Sequence, residues 1–494
     1  MHDSLPQTLY SAAQVRELDR IAIQDHGIPG YDLMQRAAAF SYECLKEYFP
    51  DTEKVLIVCG GGNNAGDGYE LAALAAQDNK QVTVANLIST DKLSGDAKIA
   101  FDAFIQISGK PETFHNSLLD DVDVIVDAIF GTGLDRDIEG EIAEVINAIN
   151  AQSAPVMALD IPSGLHADHG IEMGVAISAD ITPTFIGLKK GMFTNNGPEH
   201  SGTSLFNDLD VPKAIYDALG EADAKILDAD QLLTQLPLRH LNSHKGHFGH
   251  VLIIGGDEGY IGAARLAAEA ALRVGAGLVS VATRESHAMM MNIQRPEIMA
   301  HGVETAQQLK PLLKQATVIV IGPGLGQSDW AQQLFASVLE RQLPMVIDAD
   351  ALNLMASHPV EKLNSVLTPH PGEAARLLDT DTATIQHDRF SSAQQLQDNY
   401  KGTIVLKGCG TIIADQTGGL HVCTAGNPGM ATGGMGDVLS GLIGGLMAQQ
   451  LELDEAAKLG VLVHATAADL AITDGERGLL ASDLFSYIRK LVNP

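Results

Sequence analysis

Hydrophobic positions along the chain follow two periods, and the switch between them marks the elements. Ser11 and Gln14 form a capping-box signature ahead of Val15, Leu18, Ile21 and Ala22, which fall on one helical face. Helices are therefore expected before the first sheet. From residue 54 the pattern changes to short β-branched runs alternating with Ala/Leu-rich helical stretches. KVLIVCG, QVTVANLI, VDVIVDAIFG, APVMALDIPSG and ITPTFIGL all read as buried parallel strands, because both faces of each run are apolar. This alternation predicts a Rossmann-like, doubly wound α/β domain over residues 1–220. Around residues 215–245 the strand pattern lapses into polar, helical sequence with a proline. A second strand series follows over 226–494: HVLIIGG, LVSVAT, TVIVIGPGLG, MVIDADALN, SVLTPHPGE and TIVLKGCGTIIAD. That predicts a second α/β domain, and no fixed-period repeat links the two.

Composition narrows the classes. A chain of 494 residues suggests two or three units at roughly 150 residues each. The 62 acidic against 32 basic residues give a net charge of -30, which repels polyanions and leaves no basic face for nonspecific nucleic-acid binding. Any phosphorylated partner is then a small molecule held locally. MHDSLPQTLYSAAQ lacks the basic and apolar segments of a secretion signal, and no apolar run approaches the ~20 residues of a membrane span. Cys44, Cys59, Cys409 and Cys423 form no Cys-x-x-Cys pair, which argues for reduced thiols. A soluble cytoplasmic protein is expected, as a homo-oligomer.

In the first domain, KVLIVCGGGNNAGDGYELAALAA is strand, glycine turn and helix, satisfying Gly-x-Gly-x-x-Ala through Gly60, Gly62 and Ala65. A dinucleotide fold also wants an acid at the end of the second strand, and VTVANLI supplies Asn86 instead. Asn63, Asn64 and Asp67 follow one strand, Asp127 to Asp137 another, and Asp160 to Ser163 a third, so a parallel sheet would gather them in one crevice. Their oxygens suit a hard cation, although each residue alone also reads as a helix cap. Gly131 and Gly133 leave room for a diphosphate.

The Asn-Asn-x-Gly-Asp run at Asn63, Asn64, Ala65, Gly66 and Asp67 resembles the hallmark of the NAD(P)H-hydrate epimerase domain, a likeness extending over residues 10–215. The resemblance implies a potassium site on Asn64, Asp127 and Ser163. It implies hydrate binding by the Asn63–Asp67 run and by Gly131, Thr132, Gly133, Leu134, Asp135, Arg136 and Asp137, with Asp160 nearest the reacting ring. Ala65 stands where the family often has a second glycine.

In the second domain, NPGMATGGMGDVLSGLIGG places seven glycines in nineteen residues around Asp437. A glycine turn opening a helix cradles phosphate, and a carboxylate beside phosphate is repulsive. Asp437 is then either a helix-dipole partner or a base taking the proton from a hydroxyl that attacks a phosphoryl group. Seven glycines imply that the backbone approaches something closely. Lys407 and Thr411 in KGCGT, His370 in TPHPGE and the GPGLG loop supply further polar or close-approach positions, each also readable as a solvated lysine or a surface turn. His240, His244, His247 and His250 straddle a linker and a strand start, and a metal there is not expected.

TAGNPGMATGGMGD resembles the anion-hole motif of the ribokinase-like superfamily. With KGCGT, TPHPGE and GPGLG it is similar to the ADP-dependent NAD(P)H-hydrate dehydratases over residues 226–494. The resemblance implies that Lys407, Gly408, Cys409, Gly410, Thr411 and Gly436 hold the adenine nucleotide, and that Ala263, Gly324, His370 and Asp437 face the hydrate. Both halves together resemble bifunctional nicotinamide-nucleotide repair enzymes. The implied chemistry is epimerisation of NADHX and NADPHX, then dehydration to NAD(P)H with ADP as phosphoryl donor, Mg²⁺, and release of AMP and phosphate. The rival readings are a vitamin-precursor or sugar kinase of the same superfamily, and a nonenzymatic nucleotide-sensing first domain.

Overall fold

A computed structural model describes residues 5–493, and of residue 108 only the backbone; residues 1–4 of the segment read above for a secretion signal lie outside the described residues. The chain divides into two compact units, Met1–Lys225 and Ile226–Pro494.

The first unit is built on a seven-stranded sheet in the order Glu112–Thr113, Gln81–Asn86, Lys54–Cys59, Val124–Ala128, Val156–Ala158, Ile181–Phe185, Thr203–Asn207. Every neighbouring pair is parallel. Lys54–Cys59 shows why its run is apolar on both faces: Val55, Ile57 and Cys59 pack into one helical layer, Leu56 and Val58 into the other. Helix Ala12–Arg20 begins at the expected cap, with Ser11 Oγ accepting from Gln14 N at 3.3 Å and Gln14 Oε1 accepting from Ser11 N at 3.2 Å. Val15, Leu18, Ile21 and Ala22 are buried on its inner face. A strand precedes this helix, contrary to the expectation from periodicity. Thr8–Tyr10 pairs parallel with Leu188–Lys189 and antiparallel with residues 224–225, and three residues are too few to display a period.

The second unit carries a sheet in the order Met299–Gly302, Leu278–Thr283, His250–Ile254, Val318–Ile321, Met345–Ile347, Ser365–Leu367, Thr403–Leu406, Thr411–Ala414, Leu420–Cys423. The first seven strands pair in parallel, and the last two are added to them by antiparallel pairings. TIVLKGCGTIIAD is thus a hairpin that reverses over Lys407–Gly410. MAHG and LHVC, each with a histidine breaking its short apolar run, are strands that the pattern did not reveal.

Helix Met435–Ala448 corrects the reading of the glycine-rich stretch. Three of its seven glycines serve packing rather than a ligand. A Cβ on Gly441 would lie 2.0 Å from Ala267 O, on Gly444 2.3 Å from Val320, and on Gly445 2.4 Å from Val274. They seat this helix against Ile261–Val274 and the sheet, and only the glycines before Asp437 remain for anion binding.

Candidate active sites

In the first unit the turn after Lys54–Cys59 reaches the next loop at backbone contact, since a Cβ on Gly60 would lie 2.0 Å from Ile129 O. Helix Asn63–Gln77 starts there, and Asn63, Asn64 and Asp67 open into a cavity of about 920 Å³ together with Gly131–Asp137 and Asp160. Ala65 and Gly66 are buried within the same helical turn and do not line it.

Beneath the cavity, Asp127 is fully buried at the end of its strand. Its Oδ1 accepts from Ser163 Oγ at 2.6 Å and Ile129 N at 3.1 Å, and its Oδ2 from Ser163 N at 2.8 Å. Burial nevertheless pushes its pKa up to about 6, against the lowering effect of those bonds. Phe130 O accepts from Asn64 Nδ2 at 3.0 Å, while Asn64 Oδ1 is buried without a hydrogen-bond partner among the described residues. An orphaned amide oxygen beside a carbonyl, a hydroxyl and a carboxylate is the donor set of a hard cation.

Asp160 adopts a left-handed backbone, φ 66°, which turns its carboxylate back towards the sheet. There Oδ1 meets the fully buried Lys189 Nζ and accepts from Phe185 N at 3.2 Å. The ammonium also donates to Thr184 Oγ1 at 2.9 Å and Phe185 O at 3.1 Å, so its three protons are all placed. Asp19 and Asp67 line the same cavity. Burial, then the charge of Asp160, raises both: Asp19 up to about 6 and Asp67 well above its ordinary value. Sequence reasoning missed Asp19 and Lys189, which lie outside the glycine-rich loops; a lysine closing the apolar run ITPTFIGL was the available signal.

In the second unit the functional loops leave the carboxyl ends of adjacent parallel strands, the crevice of an open α/β sheet. Gly324, φ 58°, follows Val318–Ile321, and a Cβ there would lie 3.1 Å from Ala263 Cβ. Asp348 follows Met345–Ile347; it is 1% exposed and accepts from Lys407 Nζ at 3.0 Å and from Ser440 Oγ. Lys407 Nζ also stands 3.8 Å from Glu373 Oε2 and 3.2 Å from where a Cβ on Gly436 would be. Burial disfavours its charge, but Asp348 and Glu373 outweigh burial and raise its pKa.

Asp437 sits in the first turn of Met435–Ala448, after Gly434 at φ 94°. Burial first, then the charge of Asp348, lifts its pKa to about 7, with Lys407 opposing. A helix-dipole partner would be held acidic, whereas a carboxyl titrating near 7 is poised to take a proton. His370 caps helix Pro371–Leu377: its Nδ1 accepts from Gly372 N at 2.9 Å, leaving Nε2 to carry the proton at 3.3 Å from Glu373 Oε1. Burial and the charge of Lys407 lower its pKa, so it is neutral.

The KGCGT turn is held from below by Arg389, 1% exposed, whose guanidinium donates to Leu406 O and Gly410 O at 3.3 Å each. Cys409 is exposed at the tip, and Cys44, Cys59 and Cys423 are buried thiols. Asp348 and Arg389 went unread because a buried ionic residue outside a glycine motif looks, in sequence, like a cap or a surface charge; Glu373 and Ser440 lie inside the TPHPGE and glycine-rich stretches, where a first-turn acid and a helix serine read as ordinary. Among the described residues no group of three or more His, Cys, Asp or Glu side chains is disposed to hold a metal. His244 and His247 stack on each other at 3.7 Å, and His250 Nε2 bonds Ser280 Oγ at 2.8 Å. No helix among the described residues is long and apolar enough to cross a membrane.

Two protein-family models match the chain: one described as NAD(P)H-hydrate dehydratase over residues 251–490, the other as YjeF-related protein N-terminus over 30–191. The chain is 48% identical over 488 residues to the bifunctional NAD(P)H-hydrate repair enzyme Nnr of Coxiella burnetii, covering 98% of this chain and 99% of that one. Its identity to the protein of the same name from Escherichia coli K12 is 43% over 492 residues, covering 99% and 95%. The crystal structure of the ADP/ATP-dependent NAD(P)H-hydrate dehydratase of Bacillus subtilis, co-crystallised with ATP and Mg²⁺, superposes with a TM-score of 0.50 at 30% identity, covering 54% of this chain and 96% of that one.

Proposed function

Because the chain belongs to the family of bifunctional NAD(P)H-hydrate repair enzymes, over nearly its whole length, we propose that its first unit interconverts the epimers of NAD(P)HX and its second dehydrates one of them at the expense of ADP. The observation that carries the second half is Asp437, a carboxyl titrating at about 7 on a glycine-opened helix start beside Lys407.

In the hydrate a hydroxyl stands on a saturated ring carbon next to the ring nitrogen. Hydroxide leaves poorly and phosphate leaves well. Asp437 takes the hydroxyl proton as that oxygen attacks the β-phosphorus of ADP, and the bond to the bridging oxygen breaks to release AMP. Backbone N–H groups at Gly434–Gly436 and the helix dipole stabilise the transferring group. The ring-nitrogen lone pair then expels phosphate, and loss of a proton from the neighbouring carbon restores the double bond of NAD(P)H. Lys407–Thr411, steadied by Arg389, hold the nucleotide, while Ala263, Gly324 and the neutral His370 orient the ring. Mg²⁺ bound through substrate phosphates would need no protein cage of three carboxylates. That ion would neutralise charge on the phosphates.

In the first unit Asp160, held by Lys189, assists proton transfer at the ring: a proton delivered to the ring hydroxyl lets it leave as water while the ring-nitrogen lone pair stabilises the cation, and that proton is returned when water re-adds from the opposite face. Asn64, Asp127 and Ser163 would hold potassium, which the unpartnered Asn64 Oδ1 fits; the ion would fix the two loops on either side of the substrate. The buried thiols of Cys44, Cys59 and Cys423 suit a cytoplasmic setting, and a homo-oligomer is the assembly we favour.

The test is to incubate the purified chain with mixed hydrate epimers, with and without ADP, following reduced nicotinamide and inorganic phosphate. ADP-dependent recovery of the whole mixture with equal phosphate release is expected. A stable phosphorylated product without phosphate release would instead favour a small-molecule kinase, and recovery stopping at one epimer would remove the first unit's activity.

A further inference from the structure

A second cleft in the C-terminal unit, about 690 Å³, is framed by three arginines: Arg265 and Arg273 on helix Ile261–Val274, and Arg295 on the segment after the next helix. In a chain of net charge -30 such a grouping is conspicuous for its sign. Two carboxylates share the wall. Glu269, 6% exposed, accepts from Arg295 Nε at 2.5 Å and Arg273 Nη2 at 3.4 Å, and the exposed Asp483 caps Leu480 N at 2.9 Å. Arg295 therefore keeps both terminal nitrogens of its fork, and Arg265, bonded to the neutral Gln294, faces no carboxylate partner among the described residues. Two guanidinium forks with unused donors are the standard receptor for phosphate.

The cleft adjoins the dehydratase site. Gly262, in its wall, precedes Ala263, and Leu266, also in its wall, lies 2.6 Å from where a Cβ on Gly434 would be, next to the loop that carries Asp437. At 1.5 Å of rise per residue Arg265 and Arg273 stand about 3 Å and about 15 Å along the helix from Ala263, on the face that carries Gly262, Leu266 and Glu269 rather than on Ala263's own, so a ligand reaching them from Ala263 passes over Gly262 and Leu266. A dinucleotide whose nicotinamide end lies at Ala263 and Asp437 can extend its phosphates along this stripe.

We propose that the arginine-framed cleft binds the phosphate groups of the distal half of the hydrated dinucleotide, with Arg265 and Arg295 as their ligands. This inference rests on the dehydratase reading above. Steady-state kinetics of the full chain and its Arg265→Glu and Arg265→Lys variants test it on three substrates: NADPHX, NADHX and the hydrate of reduced nicotinamide mononucleotide. Losing a charge-assisted pair and adding repulsion raises KM for the dinucleotide hydrates by about tenfold or more, with the KM for ADP and the mononucleotide hydrate unchanged. Arg265→Lys retains most of the wild-type value. A loss confined to NADPHX assigns Arg265 to the 2′-phosphate, and a loss shared with NADHX assigns it to the diphosphate; either supports the site. Unchanged KM for both dinucleotides, or an equal loss for the mononucleotide, overturns it. Wild-type protein inert towards all three hydrates would overturn the dehydratase reading first.

Discussion

Replacing Lys189 by methionine keeps the length and apolar stem of the side chain and removes only its ammonium. That group is wholly buried and donates to Asp160, Thr184 Oγ1 and Phe185 O, so the change removes one bond from each acceptor and leaves a carboxylate without its counter-ion. Removing one partner of a buried pair costs about 3–5 kcal/mol. For a unit of this size each kcal/mol moves the melting temperature by about 2–4 °C, so the first unit's transition should fall by about 6–20 °C. Calorimetry of the full chain resolves that transition from the second unit's, whose dehydratase activity serves as the internal control. The coupled change Lys189→Met with Asp160→Asn removes both charges, and about 1–3 kcal/mol of the loss should return as coupling between neighbours. A single variant within about 0.5 kcal/mol of wild type would refute the pairing.

Asp437→Asn should preserve nucleotide affinity while ADP-dependent NADH recovery falls by about 100- to 10,000-fold, measured by absorbance of the reduced nicotinamide. The pH profile of dehydratase kcat/KM should rise through about 7, because only the ionised Asp437 accepts a proton; a flat profile from pH 5 to 8 would contradict its role. The same raised pKa works against folding. Protons bound by native Asp437, Asp127 and Asp19 stabilise the fold at low pH, and that contribution is lost as pH rises through about 6 to 7, which denaturant titration of the ligand-free chain would show. Cys409, exposed in the nucleotide turn, should alkylate quickly in the free chain and slowly with ADP bound, while the buried Cys44, Cys59 and Cys423 stay unreactive in both, as peptide mapping would reveal.

The parallel strands whose runs are apolar on both faces were legible, because only a sheet covered by two helical layers requires that pattern; the parallel Met299–Gly302, with its histidine, was not. Nor were Thr8–Tyr10 and Leu420–Cys423, both being too short for a period, and Thr8–Tyr10 is also paired with partners distant in sequence. Oxygen-rich loops at strand ends were equally visible, since glycine and Asx residues announce tight turns, and the structure gathers Asn63, Asn64, Asp67, Gly131–Asp137 and Asp160 around one cavity. Residues acting through burial stayed hidden. Lys189, Asp348 and Arg389 owe their importance to partners that lie 29, 92 and 21 positions away at the furthest and to the loss of water around them, neither of which a local motif encodes. The glycine-rich stretch misled in a different way: Gly441, Gly444 and Gly445 look like those of the anion loop, yet they answer to a neighbouring helix and the sheet.

The fate of the hydrate's hydroxyl oxygen distinguishes phosphoryl transfer from every simpler dehydration. With a heavy-oxygen label in that hydroxyl and unlabelled water, attack on ADP after deprotonation by Asp437 places the label in the released inorganic phosphate, one labelled oxygen for each NAD(P)H formed. Label recovered in water, with unlabelled phosphate, would show that the hydroxyl was never phosphorylated.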